Sequence, residues 1–181
     1  MPLEARIIKL GGGSSGSRAR VETDAWRMLT VDEAQGELPR GSIVVPLAAW
    51  KARGEELRAR LEPTGVWLAP DDDPADIADD ARALALVAIQ FPKVGDGRGY
   101  STAVLLRTRY RYRGELRAFG DLGRDQLFFL RRCGFDAFSL GPGKDPEAAL
   151  AAFDTFSVHY QGSADEPLPL FHRRGGVAVH P

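Results

Sequence analysis

With 181 residues, 44% of them hydrophobic and 27% charged, the chain has the length of a single domain and an ordinary globular composition. A formal net charge of −1 supplies no bulk field toward nucleic acid or anionic lipid, and no apolar run is long enough to span a bilayer. One cysteine, Cys133, and three scattered histidines, His159, His172 and His180, exclude an internal disulfide, a four-cysteine iron–sulfur cluster held by this chain alone and the usual zinc spacings.

Residues 1–41 read as an N-terminal arm. Arg6–Leu10 and Arg18–Val21 have the composition of a hairpin across the glycine- and serine-rich segment 11–17, with Trp26, Met28 and Leu29 anchoring the arm by burial. The segment MPLEARIIKL lacks the apolar core of a signal peptide, and a cytoplasmic protein is the expectation.

Strand and helix patterns alternate from residue 42 to residue 161. Ser42–Leu47 is a β-branched run, and Ala48–Leu61 carries apolar residues near helical spacing. Val66–Ala69 reads as a short strand. Asp73 and Pro74 then have the order of an N-cap and a first helical residue. Ala85–Phe91 is a near-continuous apolar strand, as in a parallel sheet covered on both faces. Ser101–Tyr112 reads as a helix and Glu115–Phe119 as a strand. The stretch Arg124–Cys133 reads as a helix with an apolar stripe of Leu122, Gln126, Phe129, Leu130 and Cys133, closed by Gly134. Phe135–Leu140 is a strand, Asp145 and Pro146 open a helix through Phe153, and Phe156–Gln161 is a last strand. Residues 162–181 read as a polar tail. The fold class is therefore α/β: a mostly parallel sheet of about six strands with alternating helices, plus the hairpin arm. Six strands suit an open doubly wound sheet or a partial β/α barrel, since a full barrel needs ~250 residues.

In parallel α/β folds, ligands sit beyond the carboxyl ends of the strands. That rule selects Lys93–Ser101, Gly120–Asp125 and Gly141–Lys144. In the first, Asp96, Gly97, Arg98, Gly99 and Ser101 have the make-up of a small-anion cradle at a helix N-terminus, or of a tight turn in which Asp96 and Ser101 cap and Arg98 pairs locally. The pattern is neither GxGxxG nor a P-loop. Arg117 lies inside an apparently buried strand and needs a partner; Asp96, Asp121 and Asp125 are the expected ones. It is either a ligand-binding guanidinium or one end of a structural ion pair. Asp121 and Asp125 have helix-start positions, Arg124 follows Gly123, and Cys133 reads as a buried thiol with a redox role as the alternative. Arg107, Arg109, Arg111 and Arg113 form either a solvated face or a basic docking patch.

Three blocks, FPKVGDGRGYS, GELRAFGDLGRDQLFFL and RCGFDAF, resemble the bacterial family called domain of unknown function 934; VPL, GVWLA and FSVHYQ agree as well. The resemblance runs from about Ile43 to Tyr160. Val94 replaces a usual aromatic, Gly123 a usual apolar residue, and segment 11–17 reads as an insertion. The resemblance implies a genomic setting beside assimilatory sulfite reductase genes. It implies an accessory protein of sulfite reduction, in sulfate assimilation and cysteine biosynthesis, that docks on its partner, the sirohaem sulfite reductase, or supports electron delivery to it. Some members carry the label oxidoreductase, but the family supplies no catalytic residues to transfer. No metal site is expected, the cofactor is unknown, and a flavin or nicotinamide nucleotide stays open. The alternative is a small oxyanion- or phosphate-binding α/β enzyme or oxidoreductase that uses the arginines and aspartates of the rim.

Overall fold

The computed structural model describes residues 5–11 and 18–154. The hairpin forms as expected, β1 (Arg6–Leu10) pairing antiparallel with β2 (Ala19–Thr23). A two-residue strand follows, β3 (Arg27–Met28), too short to leave a periodic trace in the sequence. Then come β4 (Ile43–Pro46), α1 (Leu47–Ala52), α2 (Gly54–Arg58), β5 (Thr64–Leu68), β6 (Leu86–Phe91), α3 (Arg98–Thr108), β7 (Glu115–Gly120), α4 (Leu127–Arg132), β8 (Ala137–Leu140) and α5 (Pro146–Ala149). The strand expected at Phe156–Gln161 lies outside the described residues.

Several helical expectations shift or shorten: the helix expected over Ser101–Tyr112 runs Arg98–Thr108, and the one expected through Phe153 is α5 followed by a 3-10 turn over Leu150–Asp154. The helix expected over Ala48–Leu61 breaks at Arg53 and Gly54, where Arg53 Nη1 donates to the carbonyls of Ala34 and Gly36, each at 2.7 Å. After Asp73, whose carboxylate does accept from Ala75 N at 2.9 Å, only a 3-10 turn over Pro74–Ile77 forms. Aspartate is a poor helix former, and Asp76 and Asp80 would stand one turn apart with like charge. The segment from Arg124 begins as a 3-10 turn before α4, and Phe129 is 56% exposed while Leu127, Phe128 and Leu130 are buried. Of the expected stripe, Leu122 and Leu130 are buried and Cys133 is half-buried against the core, while Phe129 faces outward and Leu127 and Phe128 are buried instead.

The sheet has eight strands in the order β2-β1-β8-β7-β6-β5-β4-β3. Strands β3 to β8 are parallel, and β1 pairs antiparallel with β8, so the sheet is mixed. Because consecutive parallel strands lie side by side with no reversal of order, their crossovers fall on the same side. The main core bears this out, joining Leu47, Trp50, Leu57, Ala103, Leu106, Leu127, Leu130 and Ala149 from the helices to one face of the strands. The expectation of helices on both faces is thus corrected, and with it the doubly wound alternative.

The result is a curled sheet, a half-barrel. A flat sheet of eight strands would hold its edges roughly 34 Å apart. The two edge strands, β2 and β3, are joined by Asp24, Ala25 and Trp26 alone, a link that reaches roughly 14 Å from Thr23 to Arg27. The sheet must curl for that link to close. The link crosses the face opposite the helices, which is therefore the concave one. There Trp26 packs with Met28, Trp67 and Phe119 around Val44, Leu86 and Ala88.

Gly120 ends β7 with φ of +113°, and a Cβ there would lie 2.3 Å from the Phe91 carbonyl oxygen. We expect Gly120→Ala to lower stability by about 2 kcal/mol or more in urea unfolding. Gly95→Ala, whose Cβ would meet nothing within 4 Å, should stay within about 0.5 kcal/mol of wild type.

Candidate functional site: a rim of ion pairs and an arginine recess

The carboxyl ends of β6, β7 and β8 form the rim that sequence reasoning selected, and the turn after β5, which carries Asp71, adjoins it. Gly99, in the first turn of α3, lets that helix lie against β6, since a Cβ would come within 2.5 Å of the Phe91 ring. This close approach is to protein, and Gly95 and Gly97 have open space and ordinary backbone angles. Asp96 fills the position proposed for an anion. Its Oδ1 accepts from Arg98 N at 3.2 Å and from Arg98 Nε at 3.0 Å, and its Oδ2 accepts from Arg98 Nη2 at 2.6 Å. Arg98 Nη1 is bound by Asp71. The helix start and its arginine are thus already met by carboxylates of the same chain. The bidentate guanidinium holds the Asp96 carboxyl at about 2, well below its ordinary value of 3.8.

The neighbouring turn is closed in the same way. Asp121 does not cap a helix; its Oδ1 accepts from Lys144 Nζ at 2.6 Å, which lowers its pKa, and Lys144 also donates to the Leu122 carbonyl at 2.8 Å. Gln126 closes the turn at Gly123, accepting from Gly123 N at 2.8 Å and donating to the Val94 carbonyl at 2.6 Å. Ser101 and Asp125 are exposed on first turns. Arg124 is exposed, engages no carboxylate among the described residues, and lines a cleft of about 110 Å³ with Leu122, Leu140, Lys144, Asp145, Ala148 and Ala149. Cys133 is half-buried beside the main core at the C-terminal end of α4, where the helix dipole gives no help to a thiolate.

Arg117 does not join the rim. It stands on the concave face, fully buried, and its expected partners Asp96, Asp121 and Asp125 are not the ones it meets. Its Nη1 donates to Asp24 Oδ2 at 2.7 Å, and its Nε and Nη2 donate to Glu115 Oε1 at 2.9 and 2.7 Å. Glu115 also pairs with Lys9 at 2.8 Å, so two cations and two carboxylates neutralise one another. Asp24 sits in the very link that ties the edge strands, and its Oδ1 accepts from Trp26 N at 3.1 Å. The guanidinium fastens that link to the middle of the sheet.

A second place draws on residues that sequence reasoning only partly found. Arg82, Arg111 and Arg113 line a recess of about 400 Å³ with Ala81 and Gly114, at the N-terminal ends of β6 and β7. Leu86 pairs with Glu115, so Arg82 and Arg111, each four residues ahead of its strand, meet at the same end of the sheet. That spacing was readable, but only once β6 and β7 are known to be parallel neighbours. Arg107 clamps the loop: Nη1 donates to the Tyr112 and Gly114 carbonyls, each at 2.9 Å, Nε to the Gly134 carbonyl at 2.9 Å, and Nη2 to Asp136 at 2.8 Å. Burial lifts the Asp136 carboxyl to about 6 despite Arg107. Tyr112 is buried beneath the loop, which pushes its phenol well above its usual range.

A model of the family described as "Bacterial protein of unknown function (DUF934)" matches residues 65–171. The chain belongs to this family. The match takes in the ion-paired rim, the arginine recess and β5 to β8, while the link residues Asp24 to Trp26 precede it. No curated protein and no solved structure matches the chain. Among the described residues, no cluster of three or more histidine, cysteine, aspartate or glutamate side chains is arranged to hold a metal ion, and no helix is long and apolar enough to cross a membrane.

Removing one partner of the buried arginine leaves its charge under-compensated, so Asp24→Asn should cost about 3 kcal/mol in urea unfolding. Asp96 gives a pH signature. Its folded pKa lies below the unfolded one, so its stabilisation is present above pH 4 and is lost as pH falls toward 2. The stability difference between wild type and Asp96→Asn should be steady from pH 7 to pH 4 and close between pH 4 and pH 2 in thermal melts.

Proposed function

We propose that this protein is an accessory protein of assimilatory sulfite reduction that docks on a sirohaem sulfite reductase, and that it acts by binding a protein rather than by chemistry at its own rim. The observation that carries the non-catalytic part is the state of the rim. Arg98 and Lys144, the cations best placed to meet a substrate oxyanion, are each held by carboxylates of the same chain, and the Arg117 guanidinium is sealed beneath the link. The sulfite-reduction part rests on the resemblance of the three sequence blocks and the genomic setting it implies.

A strain lacking the gene should grow poorly on sulfate and normally on cysteine. The purified chain should retain the reductase in a pull-down at low salt and release it as salt rises, because exposed charges are screened. Full reductase activity in the deletion strain would count decisively against the role.

A second reading has one observation in its favour. Arg124, without a carboxylate partner among the described residues, lines the small cleft beside Leu122 and Leu140 and is placed to take an oxyanion or a phosphorylated metabolite. Sulfite, sulfate, phosphate, flavin and nicotinamide nucleotides should then be screened by thermal shift. A ligand at about 100 times its dissociation constant stabilises by about 2.7 kcal/mol, and Arg124→Ala should abolish that gain.

A further inference from the structure

Many cations of the described chain lie against a carboxylate; among those that do not, three share one recess. Arg82, Arg111 and Arg113 are exposed and make no ion pair with any described carboxylate. No acidic side chain lines the recess they share. In a chain of net charge −1 this is a local concentration of positive charge rather than an overall one.

The recess is also built rather than left over. Arg111 has φ of +54°, the one non-glycine residue in the left-handed region among those described. A bulky residue adopts that conformation only where its surroundings impose it. Here they do so from both sides. Tyr112 is drawn into the core, its hydroxyl donating to the Glu115 carbonyl at 3.1 Å, and Arg107 binds the carbonyls of Tyr112 and Gly114. Gly114 admits the packing, since a Cβ there would stand 2.3 Å from the Tyr112 hydroxyl. The loop therefore presents Arg111 and Arg113 from a clamped backbone, and parallel pairing of β6 with β7 places Arg82 beside them.

We propose that this recess is a docking site for an acidic segment, rich in aspartate or glutamate, on a protein partner. At about 400 Å³ it is far larger than one tetrahedral oxyanion. Its three charged walls are exposed, so it cannot enclose a small ligand as a buried pocket does. Planar guanidinium groups set side by side suit several carboxylates met in succession along a chain. The site deepens the docking role proposed above by naming the surface and the chemistry it recognises, and it draws on that reading only for the identity of the partner.

The test uses a fluorescein-labelled hexaglutamate peptide, followed by anisotropy on the full chain. Wild type should bind at 50 mM salt and weaken at 300 mM. Arg82→Ala/Arg111→Gly/Arg113→Ala should bind at least about tenfold more weakly, because each charge steers and holds the peptide. Glycine keeps the left-handed backbone at position 111 without strain. Arg82→Ala/Arg113→Ala leaves that position untouched and should already lose several-fold. Lys51→Ala, which removes an exposed cation outside the recess, should bind as wild type does. Variants that bind the peptide as tightly as wild type overturn the proposal. So does pyrophosphate binding more tightly than the peptide through the same three arginines, which would mark a small-polyanion site. If the peptide results hold and the reductase is not retained in a pull-down, the recess stands and the sulfite reductase reading falls.

Discussion

The buried contact of Arg117 with Asp24 and Glu115 holds together what the rest of the molecule depends on. Eight strands in a twisted sheet have no need to curl, yet three residues here join one edge strand to the other. The link can span that gap only across a concave face, and it stays there because Asp24 is hydrogen-bonded to a guanidinium with no access to water. A charged group so placed is tolerable only when fully met. Glu115 and Lys9 complete the neutralisation. Trp26, two residues along the same link, adds apolar contact with the strand residues beside it.

The curl sets where polar groups can gather. All crossovers lie outside the sheet, so the helices pack on the convex face and the turns divide between two ends. At the end where parallel α/β proteins usually bind ligands, Asp96, Arg98, Asp71, Asp121 and Lys144 face one another closely enough to pair. These contacts tie the turn after β6 to that after β5, and the turn after β7 to that after β8. At the other end the loop before β7 is gripped by Arg107 and Tyr112, and its arginines find no carboxylate. The two ends thus differ in degree: at the first, Arg98 and Lys144 are held by the chain's own carboxylates while Arg124 is not, and at the other three arginines share one recess that no carboxylate lines.

Local features were legible from the sequence because they are decided within a few residues. Asp145 accepts from Glu147 N at 3.0 Å ahead of Pro146, as Asp73 does from Ala75 N ahead of Pro74; both caps need only the right residue two positions before the free amide. The apolar runs of β4, β6 and β8 are strands that a buried parallel position demands. Asp96 with Arg98 was among the readings left open, for the pair is two residues apart. Asp24 was not foreseen as a partner of Arg117, because it lies 93 residues away and nothing local marks the meeting. Nor was the outward face of Phe129, since a six-residue helix shows too little of its period to separate neighbouring stripes.

By itself the sequence determined the alternation of strand and helix, the caps, the turn glycines, the placement of aspartate and arginine in the turns and the family to which the chain belongs. Each follows from hydrogen bonds and steric limits spanning a few residues, or from the residues themselves. The tertiary structure alone decided that the helices share one face, that the sheet closes into a half-barrel, and which charges are spent and which remain free. These outcomes depend on strand order and on the reach of a three-residue link. Both bring together side chains far apart in the chain, and only the folded geometry sets which opposite charge each one meets.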